Sequence, residues 1–147
     1  MRYISHRGNL TGPQPDKENT PLYIDQALLR VDLCEVDLWK IDGRLYLSHD
    51  YPKDEHEIDD QFLSERRSRL IVHCKNIDAL VHCQNKYGDY HYFWHQEDDY
   101  TLTSWGWIWA YPGKDVPANS LSVAVMPETK SFENINNFSM VCTDHIL

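Results

Sequence analysis

The longest apolar runs of this 147-residue chain are far too short to cross a bilayer, so no membrane span is expected. The first residues, Met1-Arg2-Tyr3-Ile4-Ser5-His6, hold no apolar signal region, and a cytoplasmic location is the expectation that follows. Basic residues are scarce: 14 Lys and Arg stand against 23 Asp and Glu, a net charge of -9. Most of such a surface would repel a phosphate backbone, which argues against a nucleic-acid binder. A small phosphorylated substrate is not excluded, because a local cation cluster or a metal reverses the sign inside a cleft. None of the cysteines at 34, 74, 83 and 142 belongs to a Cys-x-x-Cys pair, and Cys34 and Cys74 fall on the apolar side of their strands. Buried free thiols are expected. The 8 histidines form no helical His-x-x-x-His pair; His91 and His95 lie in a Tyr-Phe-Trp run that reads as strand. No internal repeat or low-complexity segment is present.

What remains is an ordinary folded composition, 41% apolar and 25% charged. The length fits one domain covering residues 1–147.

The organising stretch is residues 34–50, Cys-Glu-Val-Asp-Leu-Trp-Lys-Ile-Asp-Gly-Arg-Leu-Tyr-Leu-Ser-His-Asp. In a strand, Glu35 and Asp37 project to one face and Cys34, Val36 and Leu38 to the other. Asp42-Gly43 is a turn pair, residues 44–47 return as a second strand, and the hairpin folds His49 back toward the two carboxylates. Paired carboxylates repel unless a cation lies between them, so a divalent ion is the natural occupant. The plainer alternative is an amphipathic hairpin with solvated acids.

Around this hairpin the chain alternates. Residues 3–6 read as strand, 9–19 as loop, and Thr20-Pro21 opens a helix carrying Ile24, Ala27, Leu28 and Val31. With the strand from Cys34 this makes a βαβ unit, hence a parallel sheet with a right-handed crossover. Residues 51–61 read as exposed, 60–69 as a short helix, 70–75 as strand, 77–86 as helix and 90–96 as strand. Residues 101–111 read as one strand whose Trp105, Trp107 and Trp109 share a face and pack in the core. Residues 121–126 and 140–143 are further strands, with 132–137 a short helix at best. His56 and His82 read as surface or helix residues. Polar residues recur at strand ends: His6, Glu35, Asp37, His73, Lys75, His95, Gln96 and Asp144. That pattern favours a barrel or an open sheet with its site along one rim. With few helices after the fourth strand, one side would be stripped, open or sealed by a partner. Apolar strand faces left bare there would make a homo-oligomer.

The order His6-Arg7-Gly8, Glu18-Asn19-Thr20, Glu35-x-Asp37, Asp42-Gly43 and His49-Asp50 resembles the glycerophosphodiester phosphodiesterase family. The resemblance covers residues 6–50 and thins beyond, where Lys75 matches a strand lysine and Thr143-Asp144 the closing strand. It implies a compact, partly stripped TIM-type (β/α) barrel with reduced outer helices. It also implies hydrolysis of a small phosphodiester, with a glycerophosphodiester as the family substrate. His6 and His49 match the acid–base pair, and Glu35 and Asp37 match metal ligands. Arg7 and Lys75 match cations that hold the phosphate, and Glu18 an acid close to the metal. The family carries a third acidic ligand where this chain has His73. The cofactor implied is one divalent ion, Mg, Ca or Mn, with Zn a further candidate because an imidazole suits Mn or Zn better than Ca. The chain is also shorter than the family pattern. The alternative function is a metal- or phosphate-binding module without turnover.

Overall fold

The computed structural model describes residues 1–147. It is a mixed α/β fold with few helices and one 10-stranded sheet. In chain order the elements are β1 (Arg2–His6), α1 (Pro21–Leu28), β2 (Leu33–Ile41), β3 (Arg44–Leu47), β4 (Glu57–Ile58), α2 (Asp60–Glu65), β5 (Leu70–Cys74) and α3 (Ile77–Gln84). They continue as β6 (His91–Trp94), β7 (Tyr100–Leu102), β8 (Ile108–Ala110), β9 (Ser122–Val125) and β10 (Met140–Thr143). No helix is long and apolar enough to cross a membrane.

The expected βαβ unit is formed. Pro21 sits in the first turn of α1, where its missing N–H costs nothing, although the Thr20 hydroxyl donates to the Lys17 carbonyl instead of capping the helix. Helix α1 buries Ile24, Ala27 and Leu28 against β2. Full burial of a side chain the size of Ile24 or Leu28 is worth about 1.5–3 kcal/mol. Strands β6, β5, β2, β1, β10, β9 and β8 lie side by side in parallel, while β3 and β4 add antiparallel strands at the outer end of β2.

Period-two alternation sorts the core. Cys34, Val36, Leu38, Val72 and Cys74 face α1, α2 and α3. Ile4, Leu33, Ile71, Phe93, Val123, Met140 and Cys142 fill the other face. All four cysteines are buried and unpaired, as expected.

Three expectations change. Residues 101–111 form not one strand but the antiparallel hairpin β7–β8. Gly106, at φ +80, supplies the left-handed turn, closed by the Thr103 N–H donating to the Trp107 carbonyl at 2.8 Å. The three tryptophans therefore do not share a face. Trp109 is 2% exposed beside Phe93, whereas Trp105 lies in the turn, 38% exposed, stacked on His91. Second, the ring expected of a barrel is not closed by strand pairing. Only residues 95–99 join β6 to β7, too few for the crossover that a parallel strand needs, so the chain turns back antiparallel. The β6–β7 seam has no ladder. Ser104 bridges it: its N–H donates to the Tyr92 carbonyl at 2.8 Å, and its hydroxyl accepts from the Tyr92 N–H at 2.9 Å. The Thr101 hydroxyl donates to the Trp94 carbonyl at 2.9 Å. Third, the outer faces of β8, β9 and β10 are not bare. Val116, Phe132 and Phe138 from the connecting loops pack on Ala110, Ala124 and Val141, which removes the reason for expecting a homo-oligomer there.

Candidate active site

Strand register assembles the charged cluster. In the β1–β2 pair His6 lies beside Glu35, and in the β2–β5 pair Asp37 lies beside His73. The side chains of register partners in parallel strands point the same way, so four chemistry-bearing groups from three strands share one face. They line a cavity of about 580 Å³ together with Arg7, Lys75, His49 and His95, and with Phe93, Trp109, Tyr111 and Met126.

Glu35, Asp37 and His73 each present a ligand atom, and these atoms lie within 4.8 Å of one another. Glu35 Oε2 and Asp37 Oδ1 are buried without a hydrogen-bond partner. Buried unpaired carboxylate oxygens are costly, and a cation removes the cost. His73 fits the same reading. Its Nε2 lies 3.2 Å from the His95 carbonyl and donates to it. Nδ1 faces Asp37 Oδ1 at 3.2 Å, placed so that both atoms could ligate one shared metal ion. A divalent ion fits these three residues.

The electrostatics of the two carboxylates diverge. Burial, and next the Asp37 charge, push the Glu35 carboxyl up to about 7. Burial would raise Asp37 as well, but His73, Arg7 and Asn19 outweigh it and hold that carboxyl below the usual range. Arg7 Nε is 2.9 Å from Asp37 Oδ2, and Asn19 brackets the same residue, its Nδ2 donating to Oδ2 and its Oδ1 accepting the Asp37 N–H, both at 3.0 Å. Arg7 and Asn19 both adopt left-handed backbone, at φ 59 and 60. Such conformations for residues with a Cβ are held only by surrounding structure and gather at functional sites.

His6 is fixed from behind. Its Nδ1 is 2.8 Å from Asp144 Oδ1, and Asp144 also accepts from Asn9 Nδ2 at 2.8 Å. Its Nε2 lies 3.6 Å from Glu35 Oε2. Burial opposes charge on the ring, but Asp144 and Glu35 overcome it and raise the His6 pKa. The sequence placed Asp144 at a strand end and in the closing-strand match without giving it a role; the β1–β10 pairing that brings it behind His6 joins segments far apart in the chain. Asn9 was missed, because a lone asparagine in a loop carries no periodic signal, and Asn19 stood in the Glu18-Asn19-Thr20 motif without a role.

The remaining expected residues divide. Lys75 lines the cavity and joins none of the ion pairs around it. His49 lines the mouth with its side chain 52% exposed and Nδ1 3.0 Å from Asp50. Glu18 is not in the ligand group. It accepts from Asn9 at 2.8 Å and approaches Arg7 Nη1 at 3.5 Å, so it steadies Arg7 and Asn9 from outside. His82, read as a surface or helix residue, lies in α3 with its side chain mostly buried and Nε2 2.8 Å from Asp60 Oδ1.

The acid–imidazole cluster is thus buried on the rim of a largely parallel sheet, with Arg7 paired to Asp37 and Glu18, and Lys75 left unpaired beside it. No protein-family model and no curated protein matches the chain. Among solved structures it is similar to a glycerophosphodiester phosphodiesterase from Agrobacterium tumefaciens str. C58, at 18% identity and a TM-score of 0.45, over 96% of this chain and 74% of that one.

Proposed function

We propose that the chain is a metal-dependent phosphodiester hydrolase that acts on a small phosphodiester by histidine acid–base catalysis. One observation carries the reading. Two unpaired buried carboxylate oxygens and a ring nitrogen of His73 converge beside a histidine whose far nitrogen is held by Asp144. A divalent ion at Glu35, Asp37 and His73 would draw charge from a non-bridging phosphate oxygen. Lys75 and Arg7 are the phosphate cations, with Arg7 aimed by Asp37 and Glu18.

Asp144 holds the Nδ1 side of His6, leaving Nε2 to exchange a proton at the reacting oxygen. His49, at the mouth, is the partner on the other side of the phosphate. One ring takes the proton of the nucleophile and the other returns one to the leaving alkoxide. The motifs of residues 6–50 support this division of labour.

The half-exposed position of His49, tied to Asp50, favours a second reading: a metal- or phosphate-binding module without turnover. Hydrolysis of bis(p-nitrophenyl) phosphate and of glycerophosphodiesters, with and without Mg, Ca, Mn or Zn, separates the two. Metal-stimulated turnover that vanishes in Glu35→Gln is the expected result. Metal binding by calorimetry without turnover of any diester would establish the silent module instead.

A further inference from the structure

The cavity has two unlike walls. β1, β2 and β5 supply its charged groups. β6, β8, β9 and the segments after them supply Phe93, Trp109, Tyr111, Pro112, Val125 and Met126. Resting on the hydrolase reading above, we propose that this second wall seats an uncharged apolar group, aryl or alkyl, esterified to the bound phosphate, in preference to a polyol such as glycerol.

The wall is built rigidly. The Tyr111 ring stacks on His95 with centroids 3.5 Å apart and planes 16° from parallel. The Tyr111 N–H donates to the Asp99 carbonyl at 3.0 Å, and a His95 ring nitrogen bonds the Asp98 carbonyl, so the loop after β6 clamps the pair. Phe93 and Trp109, both about 2% exposed, form the floor. Met126 completes the wall from a left-handed backbone, φ 51, with its N–H donating to the Cys142 carbonyl at 2.8 Å. A non-glycine residue held there is an observed strain at the cavity, and the thioether it presents adapts to irregular apolar shapes.

The polar groups on this side are largely committed. The Thr129 hydroxyl donates to the Met126 carbonyl at 2.8 Å, and His95 is held as described. Trp109 engages the Tyr111 hydroxyl, which leaves Gln96 to meet a ligand, too few groups for the two hydroxyls of a glycerol unit. A glycerol group would bury hydroxyls against carbon, and a buried hydroxyl without a partner weakens binding. An aryl or alkyl group loses nothing by the same move.

Calorimetry with phosphomonoesters tests the wall independently of catalysis. Phenyl phosphate, butyl phosphate, glycerol 3-phosphate and inorganic phosphate are titrated into the metal-loaded protein. Phenyl or butyl phosphate should bind about tenfold or more tighter than glycerol 3-phosphate. In Tyr111→Ser and in Met126→Gln that ratio should shrink toward one. Equal or tighter binding of glycerol 3-phosphate by the wild type overturns the proposal, as does failure of all four to bind. Turnover of bis(p-nitrophenyl) phosphate is scored separately. Apolar preference without turnover sinks the hydrolase reading and leaves the wall; turnover with polyol preference sinks the wall alone.

Discussion

Strands β2 and β5 are backed by α1, α2 and α3, whereas β8, β9 and β10 are backed by loops that contribute Val116, Phe132 and Phe138. Both halves are parallel sheet and both bury their outer face. The difference lies in what each carries inward. The helix-backed half presents Glu35, Asp37 and His73, whose ligand atoms must meet within a few ångströms. The loop-backed half presents apolar and aromatic side chains, which tolerate looser placement because dispersion and burial are not directional. Groups that demand precision stand on strands whose register is locked by helical crossovers.

The sharpest break in this comparison is His6→Ala. If the charged half performs the proton transfers, turnover of a cleaved diester falls by about 10²–10⁴-fold. Metal affinity by calorimetry changes little, since His6 is outside the ligand group. Wild-type turnover in this variant would make His6 structural.

Trp109→Ala breaks the other half. Removing a ring 2% exposed should cost about 3–5 kcal/mol in a denaturant titration. Metal affinity of the fraction still folded should persist. Loss of both together would mean that the halves are not separable.

A pH test follows from His91, buried under the β6–β7 seam, where Thr103, Trp105 and Trp107 surround it and none is charged. Burial pushes its pKa down to about 4. Above pH ~6.5 both the folded and the unfolded states hold it neutral, so it has no effect on stability. As pH falls from there the unfolded chain binds the proton first, so stability drops until about pH 4, by roughly 3 kcal/mol in all. In His91→Phe this component of the acid limb should be missing; an unchanged limb would show that His91 titrates normally.

The smallest expected effect is Gly8→Ala. Gly8 has φ +95, and a Cβ there would lie 2.6 Å from Cδ2 of the Tyr23 ring. A loss of about 1–3 kcal/mol is expected, with the Arg7 turn loosened and turnover reduced alongside. An unaltered melting temperature would count against the tight approach.

The charged half was legible in the sequence because its signals are local. Glu35 and Asp37 two apart in an apolar strand, the Asp42-Gly43 turn and the Thr20-Pro21 helix start each need only neighbouring residues to be read. The loop-backed half was not. Alternating tryptophans suggested one strand, and only the Ser104-Trp105-Gly106 turn reveals two. The seam depends on Ser104 using its side chain where a strand would use its backbone, a substitution without a sequence pattern. Glu18 was placed by motif near the metal, yet its hydrogen bonds go to Asn9 and Arg7, and the loop geometry that decides this is not periodic.

The pairing of β1 with β10, Arg2 beside Met140, also sets an order of assembly. A chain emerging from the ribosome holds His6, Glu35, Asp37 and His73 well before Asp144. At about 5–20 residues per second that interval lasts on the order of several seconds. Through it, one edge of β1 has no partner, and an unpaired edge beside an apolar face invites other chains. Loop closure over so long a separation is entropically slow as well. The ring that does the chemistry in this reading is therefore oriented last, when residue 144 arrives to hold it.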